Sequence, residues 1–263
     1  MEDELNPIHF QSLEHDGMRL ATARVHNQSL DDNEPVFVWL PGYGSHMNGA
    51  KASWLTTQCQ IWSLPLLKLD YRGTGQSTGD FAAATISDWV GDAVAAIEGL
   101  TSGPVILAGS SMGAWIALRV AQRCSRVKGM ALVSAAPDFT RRYWEARSAA
   151  EQEDWQRTGS FTLGHNSLPL YYKLVEDAWQ NHIVLDAPIP FDGPVSILHG
   201  MADDVAPWAG AMQVMNNLTT GDVSLHLIKE GDHALGRPDD LALLWQELTR
   251  LHEKVSAVSA LPA

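Results

Sequence analysis

A serine hydroxyl becomes a useful nucleophile only when a base takes its proton and an acid orients that base. Two stretches of the chain match G-x-S-x-G: Gly75-Gln76-Ser77-Thr78-Gly79 and Gly109-Ser110-Ser111-Met112-Gly113. The pattern carries chemistry when a buried strand runs into the serine and a helix runs out of it. The sharp turn then lifts the hydroxyl above the sheet, and the flanking glycines leave room for the approach of the helix. Val105-Ile106-Leu107-Ala108 leads into Ser111, and Ala114-Trp115-Ile116-Ala117-Leu118 continues without Gly or Pro, so a strand–turn–helix is expected there. Ser77 instead stands among turn formers from Arg72 to Asp80 and reads as a loop residue. Ser110 lacks glycines at the same offsets and is expected at most to line the site.

The base and the acid should follow the serine, on loops after later strands, in the order acid then histidine. After Val195 to Leu198 comes His199-Gly200-Met201-Ala202-Asp203-Asp204, and after Val223 to Ile228 comes Glu230-Gly231-Asp232-His233. His233 is the expected general base, and the acid is Asp203 or Asp204. Of the ten histidines, His226 falls inside a strand pattern and His199 directly precedes a turn glycine, so neither is placed like a loop base. Neither H-E-x-x-H nor a Cys/His cluster is present, and no metal site is expected. An acyl-transfer intermediate needs donors for its oxyanion. The Met112 N–H, directly after the serine, is one candidate. The Tyr43 N–H, in Pro41-Gly42-Tyr43-Gly44 after the run Val36 to Leu40, is the other; the alternative is that this stretch is only a tight turn.

These side chains need a scaffold. Short β-branched runs at Val36–Leu40, Leu64–Leu69, Val105–Ala108, Met130–Val133 and Val195–Leu198 read as strands buried on both faces. Helical patterns lie between them, including Ile86, Val90, Val94 and Ile97 with Ser87 as a possible start signal, and a last helix opening at Pro238-Asp239-Asp240. The expected fold is a single α/β domain over residues 1–263 with a mostly parallel sheet flanked by helices. Residues 139–185 break the alternation and carry Tyr143, Trp144, Trp155, Tyr171, Tyr172 and Trp179. They read as a helical cap inserted over the cleft. Trp144, Trp155 and Trp179 are candidates for an apolar acyl site; the alternative is that such aromatics only pack the cap's own helices together.

Composition narrows the partners. Hydrophobic residues make up 45% and charged residues 19% of the 263, a globular balance. With 18 Lys and Arg against 31 Asp and Glu the formal charge is −13, which repels nucleic-acid phosphates. Cys59 and Cys124 are too few for a disulfide framework. The opening Met1-Glu2-Asp3-Glu4 has neither the basic start nor the apolar run of a leader, and no membrane span follows. A cytoplasmic protein acting on a small-molecule substrate is expected, with its oligomeric state unspecified.

The chain resembles the serine α/β-hydrolase superfamily in these stretches and in Asp70-Tyr71-Arg72-Gly73-x-Gly75-x-Ser77, which resembles the loop after that superfamily's fourth strand. More narrowly, Pro41-Gly42-Tyr43, Met47-Asn48-Gly49-x-Lys51-Ala52, Gly109-Ser110-Ser111-x-Gly113-x-Trp115 and Leu198-His199-Gly200-Met201-x-Asp203-Asp204 with Pro207-Trp208 resemble the mitochondrial palmitoyl-protein thioesterase and acyl-glucuronide esterase family. The resemblance implies Asp203 as the acid and cofactor-free cleavage of a carboxylic ester or thioester. Its mitochondrial address is not expected to carry over, since no basic, Ser-rich transit segment opens the chain. A carbon–carbon bond hydrolase or an aminopeptidase with the same triad, and a silent binding module, are the competing expectations.

Overall fold

The computed structural model describes residues 6–25, 34–164 and 168–259. The reading of the first four residues as lacking a leader therefore lies outside the described residues. In chain order the strands are β1 (Ile8–His15), β2 (Met18–Val25), β3 (Val36–Leu40), β4 (Leu66–Leu69), β5 (Val105–Ser110), β6 (Val127–Val133), β7 (Ser160–Thr162), β8 (Pro169–Tyr171), β9 (Val195–Gly200) and β10 (Val223–Ile228). The helices are α1 (Ala50–Ile61), α2 (Ile86–Leu100), α3 (Met112–Ala121), α4 (Phe139–Glu145), α5 (Ala149–Thr158), α6 (Tyr172–Asn181), α7 (Ala209–Asn217) and α8 (Pro238–Ser259).

Eight strands form one sheet in the order β1-β2-β4-β3-β5-β6-β9-β10. From β4 to β10 every pairing is parallel, while β2 pairs antiparallel with both β1 and β4. The runs read from the sequence as doubly buried are so for a visible reason. In β3 and β5, Val36, Val38, Leu40, Val105 and Leu107 pack toward α2 and α3. The alternate residues Phe37, Trp39, Ile106 and Ala108 pack toward α1 and α8. Side chains alternate across a strand, so helices on both faces demand apolar residues at every position. β1 and β2, which the sequence reading did not anticipate, lie at the sheet edge, and β1 alternates between half-buried and exposed positions.

The α2 start differs from expectation. Thr85 is the N-cap, in a reciprocal capping box with Asp88. Ser87 instead bonds the cap helix α6 through Asp177.

Residues 139–185 fold as α4, α5 and α6 with a two-stranded hairpin of β7 and β8. The expected helical content is present, but the hairpin was not foreseen. Its strands are three residues each, too short for a period-2 signal.

Candidate active site

β5 ends against the N-terminus of α3, and the turn between them is Ser111. Its φ of 57° and ψ of −119° place a non-glycine residue in a region that costs energy and is held only by its surroundings. The Ser111 N–H donates to the Val133 carbonyl and the Ser111 carbonyl accepts from Ala114, which fixes the bend. The glycines on either side are required by contact. A Cβ on Gly109 would strike the Gly113 carbonyl, and one on Gly113 would strike the carbonyl of Leu40 at the end of β3.

The exposed hydroxyl meets the two expected partners. Ser111 Oγ lies 3.0 Å from His233 Nε2, and His233 Nδ1 lies 2.7 Å from Asp203 Oδ2. Asp203 follows β9 and His233 follows β10, so the ends of three parallel strands supply the three groups. An ionised carboxylate can only accept, so Nδ1 carries the proton and Nε2 turns a lone pair toward the serine. Asp203 Oδ1 accepts from the Val205 and Ala206 N–H groups at 2.9 and 2.8 Å, while His199 Nε2 lies 3.2 Å from Oδ2. Burial by itself would raise the Asp203 carboxyl. The hydrogen bonds from His199, His233 and the Ala206 N–H outweigh it and hold the group well below the usual carboxylate range. Between the two acid candidates the geometry is plain: the Asp203 side chain is fully buried against His233, whereas Asp204 is exposed.

The turn after β3 closes the other side. A Cβ on Gly42 would sit 3.2 Å from the Ser110 carbonyl oxygen and 3.3 Å from Ser111 Cβ, so a larger residue would push the turn away from the serine. Tyr43 follows it; its hydroxyl donates to the Pro169 carbonyl of β8 at 2.6 Å, and burial pushes that hydroxyl's pKa up. Met112 is buried as the first residue of α3, whose free N–H groups and dipole favour negative charge at that point.

A cavity of about 330 Å³ opens beside Ser111, near the lower end of the range for small-molecule sites. Phe139, Arg142, Tyr143 and Leu163 of the cap line it, with Trp39 and Lys51 on the opposite side. The three tryptophans expected there are elsewhere. Trp155 is fully buried, donates to the Leu170 carbonyl and packs on Phe161. Trp144 packs on Trp155 and Tyr172. Trp179 is 46% exposed under the Arg141 guanidinium. Trp144 and Trp155 pack the cap's own elements together, Trp179 faces solvent, and none of the three lines the cavity. Lys51 could not be read from spacing. It donates to the Ala234 carbonyl beside His233, and burial pushes its ammonium down while Asp232 and Asp240 partly offset this. Among the described residues no group of three His, Cys, Asp or Glu could hold a metal, and no helix is long and apolar enough to cross a membrane.

The second G-x-S-x-G has a different purpose. Ser77 Oγ donates to the Asp70 carbonyl and accepts from the Ala21 N–H, while the Asp70 carboxylate accepts from Met47 and Gln76 N–H groups. The motif from Asp70 to Ser77 is a knot tying the loop after β4 to β2.

Residues 31–158 match the family described as "Serine aminopeptidase, S33". Mouse palmitoyl-protein thioesterase ABHD10, mitochondrial, is 32% identical over 237 residues, covering 87% of this chain and 79% of the relative. The chain belongs to the ABHD10 family of α/β-hydrolases. The human ABHD10 thioesterase is 31% identical over 238 residues, 88% of this chain and 77% of its own. The solved structure of mouse ABHD10 superposes with a TM-score of 0.86 at 30% identity, covering 94% of this chain and 99% of that one. A structure from Agrobacterium vitis S4 gives 0.86 at 31%, covering 93% and 99%. The protein is thus a hydrolase. Membership in the ABHD10 family also overturns the cytoplasmic expectation, because these curated relatives are mitochondrial by name. Cys59 and Cys124 are both free and buried.

Proposed function

We propose that the protein cleaves carboxylic esters or thioesters through an acyl-enzyme on Ser111, with His233 as general base and Asp203 as its orienting acid. The observation that carries this reading is the hydrogen-bonded chain from Ser111 Oγ through His233 to Asp203, set at a strained turn beside an open cavity. His233 takes the serine proton as Oγ attacks the acyl carbon and returns it to the departing alcohol or thiol. The deacylating water then attacks the acyl carbon as it loses its proton to the same nitrogen, and His233 passes that proton to Ser111 Oγ as the acyl–Oγ bond breaks and the carboxylic acid leaves. The N–H groups of Tyr43 and Met112 are assigned to the oxyanion, in keeping with the approach of Gly42 to Ser111 and the start of α3 there.

Thioester substrates are supported by the name of the ABHD10 relatives. An aminopeptidase would need an acid for the substrate amine, yet the charged residues lining the cavity are Lys51 and Arg142, and no carboxylate lines it among the described residues. Residues 139–185 act as a cap whose Phe139, Tyr143 and Leu163 supply apolar wall. Each methylene buried there contributes about 0.8 kcal/mol, so medium acyl chains are preferred over acetyl.

The test is fluorophosphonate labelling with kinetics on p-nitrophenyl esters, acyl thioesters and aminoacyl anilides. Labelling that requires Ser111, with turnover of esters or thioesters, is expected. Full labelling of Ser111→Ala, or turnover of anilides alone, would overturn the proposal.

A further inference from the structure

His199 is the penultimate residue of β9, four residues before Asp203, and its side chain is fully buried. Its Nε2 lies 2.9 Å from the Ala206 carbonyl oxygen and 3.2 Å from Asp203 Oδ2. A carbonyl can only accept, so Nε2 carries the proton and the same N–H is shared with the carboxylate. His199 Nδ1 has no hydrogen-bond partner among the described residues. A proton on Nδ1 would be a buried donor with nothing to receive it, so the donor geometry favours Nε2. Asp203 Oδ2 thus lies between two imidazoles with their protons directed at it, His233 on the side of the serine and His199 on the other.

We infer that His199 is a positioning residue for the proposed Ser111–His233–Asp203 triad, on which reading the inference rests: its N–H fixes Asp203 Oδ2 and draws off part of the negative charge that Asp203 presents to His233. An acceptor that serves two donors offers less to each. His199 therefore tempers the stabilisation of the His233 imidazolium that forms during acyl transfer, and it keeps the carboxylate from rotating out of the ring plane. The charged and titratable groups meeting this cluster are Asp203, His233 through Asp203, and Arg142 of α4, whose guanidinium caps the Val205 carbonyl. Leu227 of β10 is the register partner of His199. Among the described residues no side chain of β6 or β10 forms an ion pair or hydrogen bond with His199.

His199→Phe keeps the ring and removes the donor. His199→Gln restores a donor at about the reach of Nε2. The pH profile of kcat/KM on p-nitrophenyl butyrate separates the possibilities. For His199→Phe the acid limb is expected to move up by roughly half to one pH unit, with kcat down about tenfold and KM little changed. His199→Gln is expected to return both toward the parent. If His199→Phe does not fold, His199→Asn, whose amide stops at the position of Nδ1, carries the same expectation. An acid limb and kcat unchanged in the donorless variant, or a Gln variant that restores neither, would overturn the inference. A parent enzyme without any acid limb would instead overturn the histidine base itself.

Discussion

Two clusters of serine, histidine and aspartate among the described residues are built differently, and only one of these two is arranged for proton transfer. In the first, His233 stands between Ser111 and Asp203. In the second, where the cap helix α6 meets α2, the serine stands in the middle: Ser87 Oγ is 2.6 Å from Asp177 Oδ1 and 2.7 Å from His182 Nε2. There the hydroxyl donates to the carboxylate. Arg119 donates to His182 Nδ1, so the ring proton sits on Nε2 and points at the serine. His182 consequently has no lone pair to offer Ser87. It is fully buried, and burial pushes its pKa down to about 4. The same three residue types make the proposed proton relay or a rivet according to which of them is central and which nitrogen is bare.

The sharpest way to break the comparison is to delete the proposed nucleophile or the proposed base. Ser111→Ala and His233→Ala should each lower kcat on p-nitrophenyl butyrate by about 10⁵- to 10⁶-fold. Ser87→Ala and Ser77→Ala should keep most activity per folded molecule; equal losses would mean that the wrong cluster has been assigned. Asp203→Asn should cost about 10³- to 10⁴-fold, and Asp204→Asn under tenfold, read from the same assay; a reversed order would move the acid role to Asp204. Within the cap, Trp155→Ala should lower unfolding stability by about 3–5 kcal/mol because it empties a buried site. Trp179→Ala should cost about 1 kcal/mol or less, and urea titration distinguishes the two. The smallest effect concerns the rivet. Its histidine binds a proton less readily folded than unfolded, so the unfolded chain gains the extra proton and stability declines as pH falls from 6.5 toward 4. Melting curves across that window should show a shallower decline for His182→Gln, and an unchanged slope would count against a neutral His182.

Much of this was legible because physics constrains it tightly. A strand covered on both faces must be apolar at every position, which made β3, β5 and β9 visible as runs. The elbow was legible because a glycine two residues either side of a serine, with that strand before it, has few other causes. Other features leave no such trace. β1 is the edge strand and alternates between half-buried and exposed positions, and β2, though largely buried, has its apolar run broken by Arg19, Thr22 and Arg24. Phe139, Tyr143 and Leu163 reach the cavity from separate elements of the cap, so no sequence period connects them. Trp144 and Trp155 were misplaced because aromatic content marks burial without telling which neighbour does the burying. Ser87 resembled a helix start, but Thr85 with Asp88 forms the capping box.

Tyr43 does two things at once. Its backbone stands beside the serine, and its hydroxyl grips Pro169 at the start of the β8 hairpin. An acyl chain long enough to displace that hairpin would shift the residue assigned to the oxyanion with it. Overfilling the pocket is therefore registered as a turnover fault as well as an affinity fault: along an ester series from hexanoate to laurate, kcat should fall beyond the optimum length. A penalty confined to KM would show that hairpin and catalysis are mechanically separate.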